Sequence, residues 1–144
     1  MVRIVLAEDH QVVRRGLQMV LDSEPDFAVV AQAGAATDAR ACVREHAPDV
    51  LVLDLNLGGS SSLELIPQLR RDHPATQIVV LTMESDSAFV RRARSAGALG
   101  YVLKDCADAE LVAAVRRAVA GEPYLTRRLA ARLVAEQSFN AGPD

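Results

Sequence analysis

The chain has 144 residues, of which 50% are apolar and 3% aromatic, and its formal net charge is −3. This length predicts one domain that can bury a core, and no apolar run approaches the roughly 20 residues of a membrane span. The mildly acidic balance argues against DNA or membrane binding as the main activity of the chain. The first residues form a strand-like run rather than a cleavable targeting segment, so we expect a cytoplasmic protein.

Short apolar runs alternate with segments of helical period along the chain. The runs predict strands at 2–7, 27–32, 50–53, 78–82 and 99–103, because nearly continuous apolar sequence is typical of parallel strands covered on both faces. Between the strands, apolar residues at helical spacing predict helices near 13–21, 36–46, 65–69, 89–93 and 111–118. Five strand–helix repeats predict an α/β fold with an open parallel sheet and helices on both faces.

The pattern changes after Gly121, which is placed to end the fifth helix. Tyr124 and Leu125 lead into a segment with apolar residues at i, i+4 spacing, and Thr126 is positioned as its N-cap. We therefore predict one domain over 1–122, followed by a short linker helix and tail over 123–144.

Polar side chains follow four of the predicted strands. Glu8 and Asp9 follow the first, Asp54 ends the third, Thr82 ends the fourth, and Lys104 ends the fifth. Because ligands bind at the carboxyl ends of strands in open parallel sheets, we expect these side chains to converge. Crowded carboxylates need a cation between them, and an all-oxygen ligand set favours Mg²⁺. Phosphoryl transfer requires this kind of positioning and charge neutralisation, so we expect Asp54 to be a nucleophile that forms an aspartyl phosphate.

The same residues, within the stretches "LAEDH", "PDVLVLDL", "IVVLT" and "AGALGYVLKD", resemble the receiver domain of bacterial two-component response regulators. The resemblance extends from residue 2 to about residue 121. The stretches "AGALGYVLKD" and "AVRRAVAGEPYL", with the tail helix, are similar to the subfamily that carries a LuxR/NarL-type DNA-binding domain. The resemblance implies a flavodoxin-like, five-stranded sheet of order 2-1-3-4-5.

The resemblance also implies a role for each site residue. Asp54 accepts a phosphoryl group from a sensor histidine kinase, and Lys104 contacts that group. Thr82 and Tyr101 correspond to the paired switch residues that reorient on phosphorylation. The implied partners are the kinase, a second copy of the phosphorylated chain, and DNA only through a C-terminal domain that we expect to be absent here; no membrane partner is implied.

The implied cofactor is Mg²⁺. Its ligands are Glu8, Asp9, Asp54 and the backbone carbonyl of Asn56. The side chains of Asn56, Met83 and Glu84 flank the path of water to the phosphoryl group and are expected to set its lifetime.

Two departures from the family pattern affect the site. Gly58 and Ser62 stand where receivers commonly have proline and glycine, so we expect a looser loop after Asp54. Asp105 stands where a cis proline often follows the lysine, which leaves the geometry of the Lys104–Asp105 peptide open.

Other functions stay open at this point. The chain could be a stand-alone receiver or part of a transcription regulator, and in neither case an enzyme acting on a separate substrate. A phosphohydrolase of the haloacid-dehalogenase type also uses an aspartate nucleophile and Mg²⁺, but it would need a second carboxylate where Asn56 stands. A flavin- or nucleotide-binding domain would need a phosphate-binding loop after the first strand, where this chain is acidic.

Overall fold

A computed structural model describes residues 1–83 and 87–140 of the chain. The strands are β1 (Val2–Ala7), β2 (Phe27–Ala33), β3 (Val50–Asp54), β4 (Asn56–Leu57), β5 (Ser60–Ser61), β6 (Gln77–Thr82), β7 (Gly100–Leu103) and β8 (Tyr124–Leu125). The helices are α1 (Gln11–Asp22), α2 (Ala36–His46), α3 (Leu65–Asp72), α4 (Ser87–Ala96), α5 (Ala107–Val119) and α6 (Arg127–Asn140), with one 3-10 turn at Lys104–Cys106. No helix within these described ranges has the length and apolar character needed to cross a membrane.

The main sheet has the order β2-β1-β3-β6-β7-β8, and every neighbouring pair in it is parallel. The five predicted strands are all present, and their predicted order is confirmed. The sheet contains one strand more than predicted, because β8 pairs with β7 through Gly100 and Tyr124 and through Tyr101 and Leu125.

The apolar strands are buried on both faces. Alternate side chains of each strand point to opposite faces, so Val5 and Leu51 contribute to one core layer whereas Ile4 and Val52 contribute to the other. The first layer lies under α2, α3, α4 and the first turns of α6, and the second lies under α1 and α5. This double coverage explains why the strands read as continuous apolar runs.

The C-terminal segment packs against the rest of the domain. Leu129 of α6 is buried in the same core layer as Val90 of α4. Thr126 directly precedes α6, as predicted for an N-cap residue, but its hydroxyl accepts a hydrogen bond from the backbone N–H of Leu103 at the end of β7. The segment therefore covers the β7 edge of the sheet.

Candidate functional site

The side chains predicted to converge meet at the carboxyl edge of the sheet. Lys104 Nζ lies 2.9 Å from Asp54 Oδ2 and 2.8 Å from Glu8 Oε2. The carboxylates of Glu8 and Asp54 are both buried. The ammonium group therefore bridges two carboxylates that would otherwise repel each other in a desolvated place.

Burial and hydrogen bonding act in opposite directions on these groups. Burial raises the pKa of Asp54 above its ordinary value, although the Lys104 ammonium and the backbone N–H of Asn56 act to lower it. That N–H donates to Asp54 Oδ1 over 3.0 Å. Burial acts to lower the pKa of Lys104, but its hydrogen bonds to Asp54 and Glu8 prevail and raise it. Lys104 thus keeps a positive charge beside Asp54.

Asp9 lies at the same edge and is held by the loop that follows Asp54. The backbone N–H of Gly58 donates to Asp9 Oδ2 over 3.1 Å. Burial acts to raise the pKa of Asp9, but this bond and that of its own backbone N–H outweigh burial, so the pKa is lowered. The other carboxylate oxygen, Oδ1, is buried and accepts no hydrogen bond from the described residues.

The loop after Asp54 is a β-hairpin rather than the loose segment expected from its glycines and serines. Strands β4 and β5 pair antiparallel through Asn56 and Ser61 and through Leu57 and Ser60. Gly58 and Gly59 form the turn with φ of 66° and 80°, a conformation that favours glycine at both positions of a two-residue hairpin loop. The hairpin fixes the two backbone N–H groups that bind Asp54 and Asp9.

His10 is a site residue that the sequence did not single out. Its Nδ1 atom lies 3.1 Å from Glu8 Oε1 and 3.3 Å from Asp9 Oδ1. Its backbone N–H also donates to Glu8 Oε1. The signal that could have identified it is its position directly after two acidic residues at a strand end.

Asp54, Lys104 and His10 border an open pocket of about 410 Å³. The pocket is lined by His10, Asp54, Leu55, Asn56, Ser61, Thr82, Met83, Phe89 and Lys104. Its volume exceeds that of a phosphoryl group.

The remaining predicted residues lie in different environments. Thr82 is buried at the end of β6, and Tyr101 is buried on the neighbouring strand β7. Met83 is exposed at the pocket rim, and Glu84 lies outside the described residues.

The described ranges contain no cis peptide bond, so the Lys104–Asp105 peptide is trans.

The donor set suits a hard cation. The carboxylates of Glu8, Asp9 and Asp54 offer oxygen atoms at one edge of the sheet, and Asn56, whose carbonyl is the fourth predicted ligand, stands two residues after Asp54. Oxygen ligands of this kind fit Mg²⁺, and Glu8 and Asp9, together with His10, offer ligand atoms within 4.8 Å of one another.

Comparison with known proteins gives a consistent set of similarities. The family model of the response regulator receiver domain matches residues 4–116. The oxygen regulatory protein NreC of Staphylococcus epidermidis is 41% identical over 135 residues, which cover 93% of this chain and 62% of NreC. This chain therefore spans less than two thirds of the length of that curated relative.

Solved structures agree with this similarity. The crystal structure of a LuxR-family two-component response regulator from Aurantimonas sp. has a TM-score of 0.89 and 38% identity, with 94% of this chain and 97% of that chain covered. The signal receiver domain of the putative response regulator NarL from Mycobacterium tuberculosis has a TM-score of 0.79 and 29% identity, with coverage of 84% and 98%. The similarity includes the C-terminal part of the chain, beyond the residues that the family model matches.

Proposed function

The chain belongs to the response regulator receiver family, of the LuxR/NarL type, and from that premise we propose that Asp54 accepts a phosphoryl group from a sensor histidine kinase. The contact of Lys104 Nζ with both Asp54 and Glu8 carries the proposal. It places a cation next to a desolvated carboxylate, and both groups line a pocket that is larger than a phosphoryl group. Charge neutralisation and positioning of this kind are the main requirements of phosphoryl transfer.

In the proposed step, an Asp54 carboxylate oxygen attacks phosphorus from the inner side of the pocket. The P–N bond to the kinase imidazole breaks, and the imidazole leaves with that electron pair. Lys104 then turns from the Asp54 oxygen to an oxygen of the phosphoryl group, and the Thr82 hydroxyl donates to another. Reorientation of Thr82 and Tyr101 would signal the new state to the output, which we propose to be a DNA-binding domain acting as a dimer.

Mass spectrometry tests the proposal directly. Incubation with phosphoramidate and Mg²⁺ should add the mass of one phosphoryl group, and reduction with borohydride followed by peptide mapping should locate it at Asp54. The phosphorylated sample should sediment as a dimer. Absence of the mass gain, or its location at another residue, contradicts the proposed function.

We also infer that Mg²⁺ binds to Glu8, Asp9, Asp54 and the carbonyl of Asn56. The oxygen donors support this ligand set, and Glu8 and Asp9, together with His10, offer ligand atoms that lie within 4.8 Å of one another. When bound, the ion neutralises charge on the phosphoryl group. The Gly58 N–H donates to Asp9 Oδ2 and so orients the carboxylate.

The Asp9→Asn variant is expected to bind Mg²⁺ roughly tenfold more weakly or worse, since affinity in such sites follows the charge of the ligands. The fold should be retained, because the amide oxygen can still accept from the Gly58 N–H. Titration calorimetry is the measurement of choice, as the chain contains no tryptophan. Asp72→Asn, on the exposed end of α3, is the control; equal Mg²⁺ affinity in both variants would refute the assignment.

The lifetime of the phosphoryl group is proposed to depend on Asn56, Met83 and Glu84. Met83 is 75% exposed and lines the same pocket as Asp54, and we propose that it limits approach to Asp54. Met83→Ala should speed both phosphorylation by small donors and hydrolysis several-fold, equivalent to about 1 kcal/mol of barrier. Met19→Ala is a matched control, because Met19 is 73% exposed on α1. If both variants keep the parental rates, Met83 does not limit access.

A further inference from the structure

Thr126 is bonded to β7 through both its backbone and its side chain. Its N–H donates to the carbonyl of Tyr101 over 2.9 Å, and its Oγ1 accepts from the N–H of Leu103 over 3.0 Å. Thr126 is fully buried. The two hydrogen bonds therefore join Thr126 to the residues on either side of Val102, and the second of these residues, Leu103, directly precedes Lys104.

The hydroxyl of Thr126 continues the β7–β8 ladder after β8 has ended. Backbone pairing stops at Tyr101 and Leu125, and the chain then turns into α6. The Thr126 Oγ1 atom takes the place of the carbonyl that a longer strand would offer to Leu103. Without it, the N–H of Leu103, a residue with 1% exposure, would lose its acceptor in a buried place.

This bond fixes the backbone from which the Lys104 side chain extends. Leu103 is paired with Thr82 of β6 on one side and bonded to Thr126 on the other. Lys104 must hold its ammonium within hydrogen-bond distance of two carboxylates at once. A small displacement of Leu103 would be passed to Lys104, because the two residues share a peptide bond.

Neighbouring contacts tether the segment on both sides of Thr126. Glu110 of α5 accepts hydrogen bonds from the Tyr124 hydroxyl and from the backbone N–H of Arg127. Arg128 Nη1 lies 3.2 Å from the carboxylate of Asp105, the residue after Lys104. The Asp105–Arg128 pair is exposed and contributes little by itself, so Thr126 provides the buried link to the site.

We propose that Thr126 is a positioning residue for phosphoryl transfer, which acts through Leu103 to hold Lys104 in contact with Asp54 and Glu8. This inference rests on the proposed function of Asp54. The family model matches residues 4–116, so Thr126 would be a residue outside that match that affects phosphoryl transfer.

Three variants of the full chain test the proposal. Thr126→Val keeps the shape of the side chain but removes the acceptor, whereas Thr126→Ser keeps the hydroxyl. Thr76→Val is a matched control, because Thr76 is buried at the opposite end of the sheet and its hydroxyl donates to the Pro48 carbonyl over 2.7 Å. Phosphorylation by phosphoramidate should be about tenfold slower in Thr126→Val, equivalent to about 1.4 kcal/mol, and within about twofold of the parent in the other two.

A second readout follows Lys104 itself. Lys104 is the only lysine of the chain, so protein labelled with ¹³C-lysine gives a single lysine Cε resonance. Thr126→Val should displace this resonance, whereas Thr126→Ser and Thr76→Val should leave it in place. If Thr126→Val does not fold, Thr126→Ala removes the same acceptor without placing a methyl group there.

The two readouts separate the possible failures. Parental phosphorylation rate and parental Lys104 resonance in the Thr126→Val or Thr126→Ala protein would overturn the role of Thr126. An equal loss of rate in Thr76→Val would also overturn it, because the effect would then follow general destabilisation. If the parent itself gains no phosphoryl group, the proposed function fails, and the Lys104 resonance alone decides whether Thr126 positions Lys104.

Discussion

The Asp54→Asn variant should gain no phosphoryl group from phosphoramidate under conditions that label the parent completely. An amide oxygen is a far weaker nucleophile than a carboxylate, and a loss of about 4 kcal/mol in transition-state stabilisation already slows a reaction about a thousandfold. The substitution is nearly isosteric, and its carbonyl oxygen can still accept from the Asn56 N–H, which donates to Asp54 Oδ1 in the parent. Intact-protein mass spectrometry measures the result.

The loss must be separated from unfolding. Burial raises the pKa of Asp54, which means that folding disfavours its ionised form. This penalty is present above the raised pKa and disappears as the pH falls below the ordinary value of the carboxyl group. Asp54→Asn removes this penalty but also removes the Oδ2 acceptor of Lys104, so denaturant unfolding at neutral pH must show that the variant is folded under the labelling conditions. Phosphorylation of Asp54→Asn at the rate of the Asp72→Asn control would contradict the assignment of Asp54.

Replacement of Lys104 by methionine should both slow phosphorylation and destabilise the fold. The ammonium bridges Asp54 and Glu8 at 2.9 and 2.8 Å, and its side chain is 13% exposed. Removing one partner from such a buried ion pair commonly costs about 3–5 kcal/mol, because a buried charge is left without compensation. Here two carboxylates would be left together. Denaturant unfolding followed by circular dichroism measures the free energy of unfolding.

The pH dependence identifies the cause of this destabilisation. Burial already raises the pKa of Asp54, and Lys104 acts to lower it, so after removal of the ammonium the deficit should be full at neutral pH and should shrink as acid protonates Asp54. Adding Asp54→Asn to Lys104→Met should restore part of the lost stability, since one buried charge is then removed. A deficit that is independent of pH, with no recovery in the double variant, would mean that lost packing rather than charge is responsible.

The strands and the main site residues were predictable for a common physical reason. A parallel strand covered on both faces needs an apolar run, and the first polar residue after each run lies at the carboxyl edge of the sheet. This places Asp54, Thr82 and Lys104 without knowledge of side-chain contacts. The contact of Lys104 with Glu8 as well as Asp54 was not predictable, because it depends on the distance between β1 and β7 across the sheet.

The features that the sequence did not reveal are short or depend on distant partners. Strand β8 has two residues, too few to display a period. Thr126 fits the pattern of an N-cap, but the partner of its hydroxyl lies 23 residues earlier in the chain. The paired glycines at 58 and 59 suggest looseness, yet each adopts the positive φ that a tight hairpin requires.

The position of β8 bears on how the protein behaves at high concentration. Strand β7 would otherwise present the unpaired backbone groups of Gly100–Leu103 at the margin of the sheet, and such a margin can recruit a strand from another molecule and begin aggregation. The pairing of β8 and the backbone and hydroxyl of Thr126 bind groups of β7, and Leu129 of α6 packs in the same core layer as Leu103. Strand β8 then forms the edge of the sheet, but it is only two residues long. Such a short edge strand is a poor template for pairing with another chain. The segment that supports Lys104 therefore also protects the β7 edge of the sheet from pairing with another molecule.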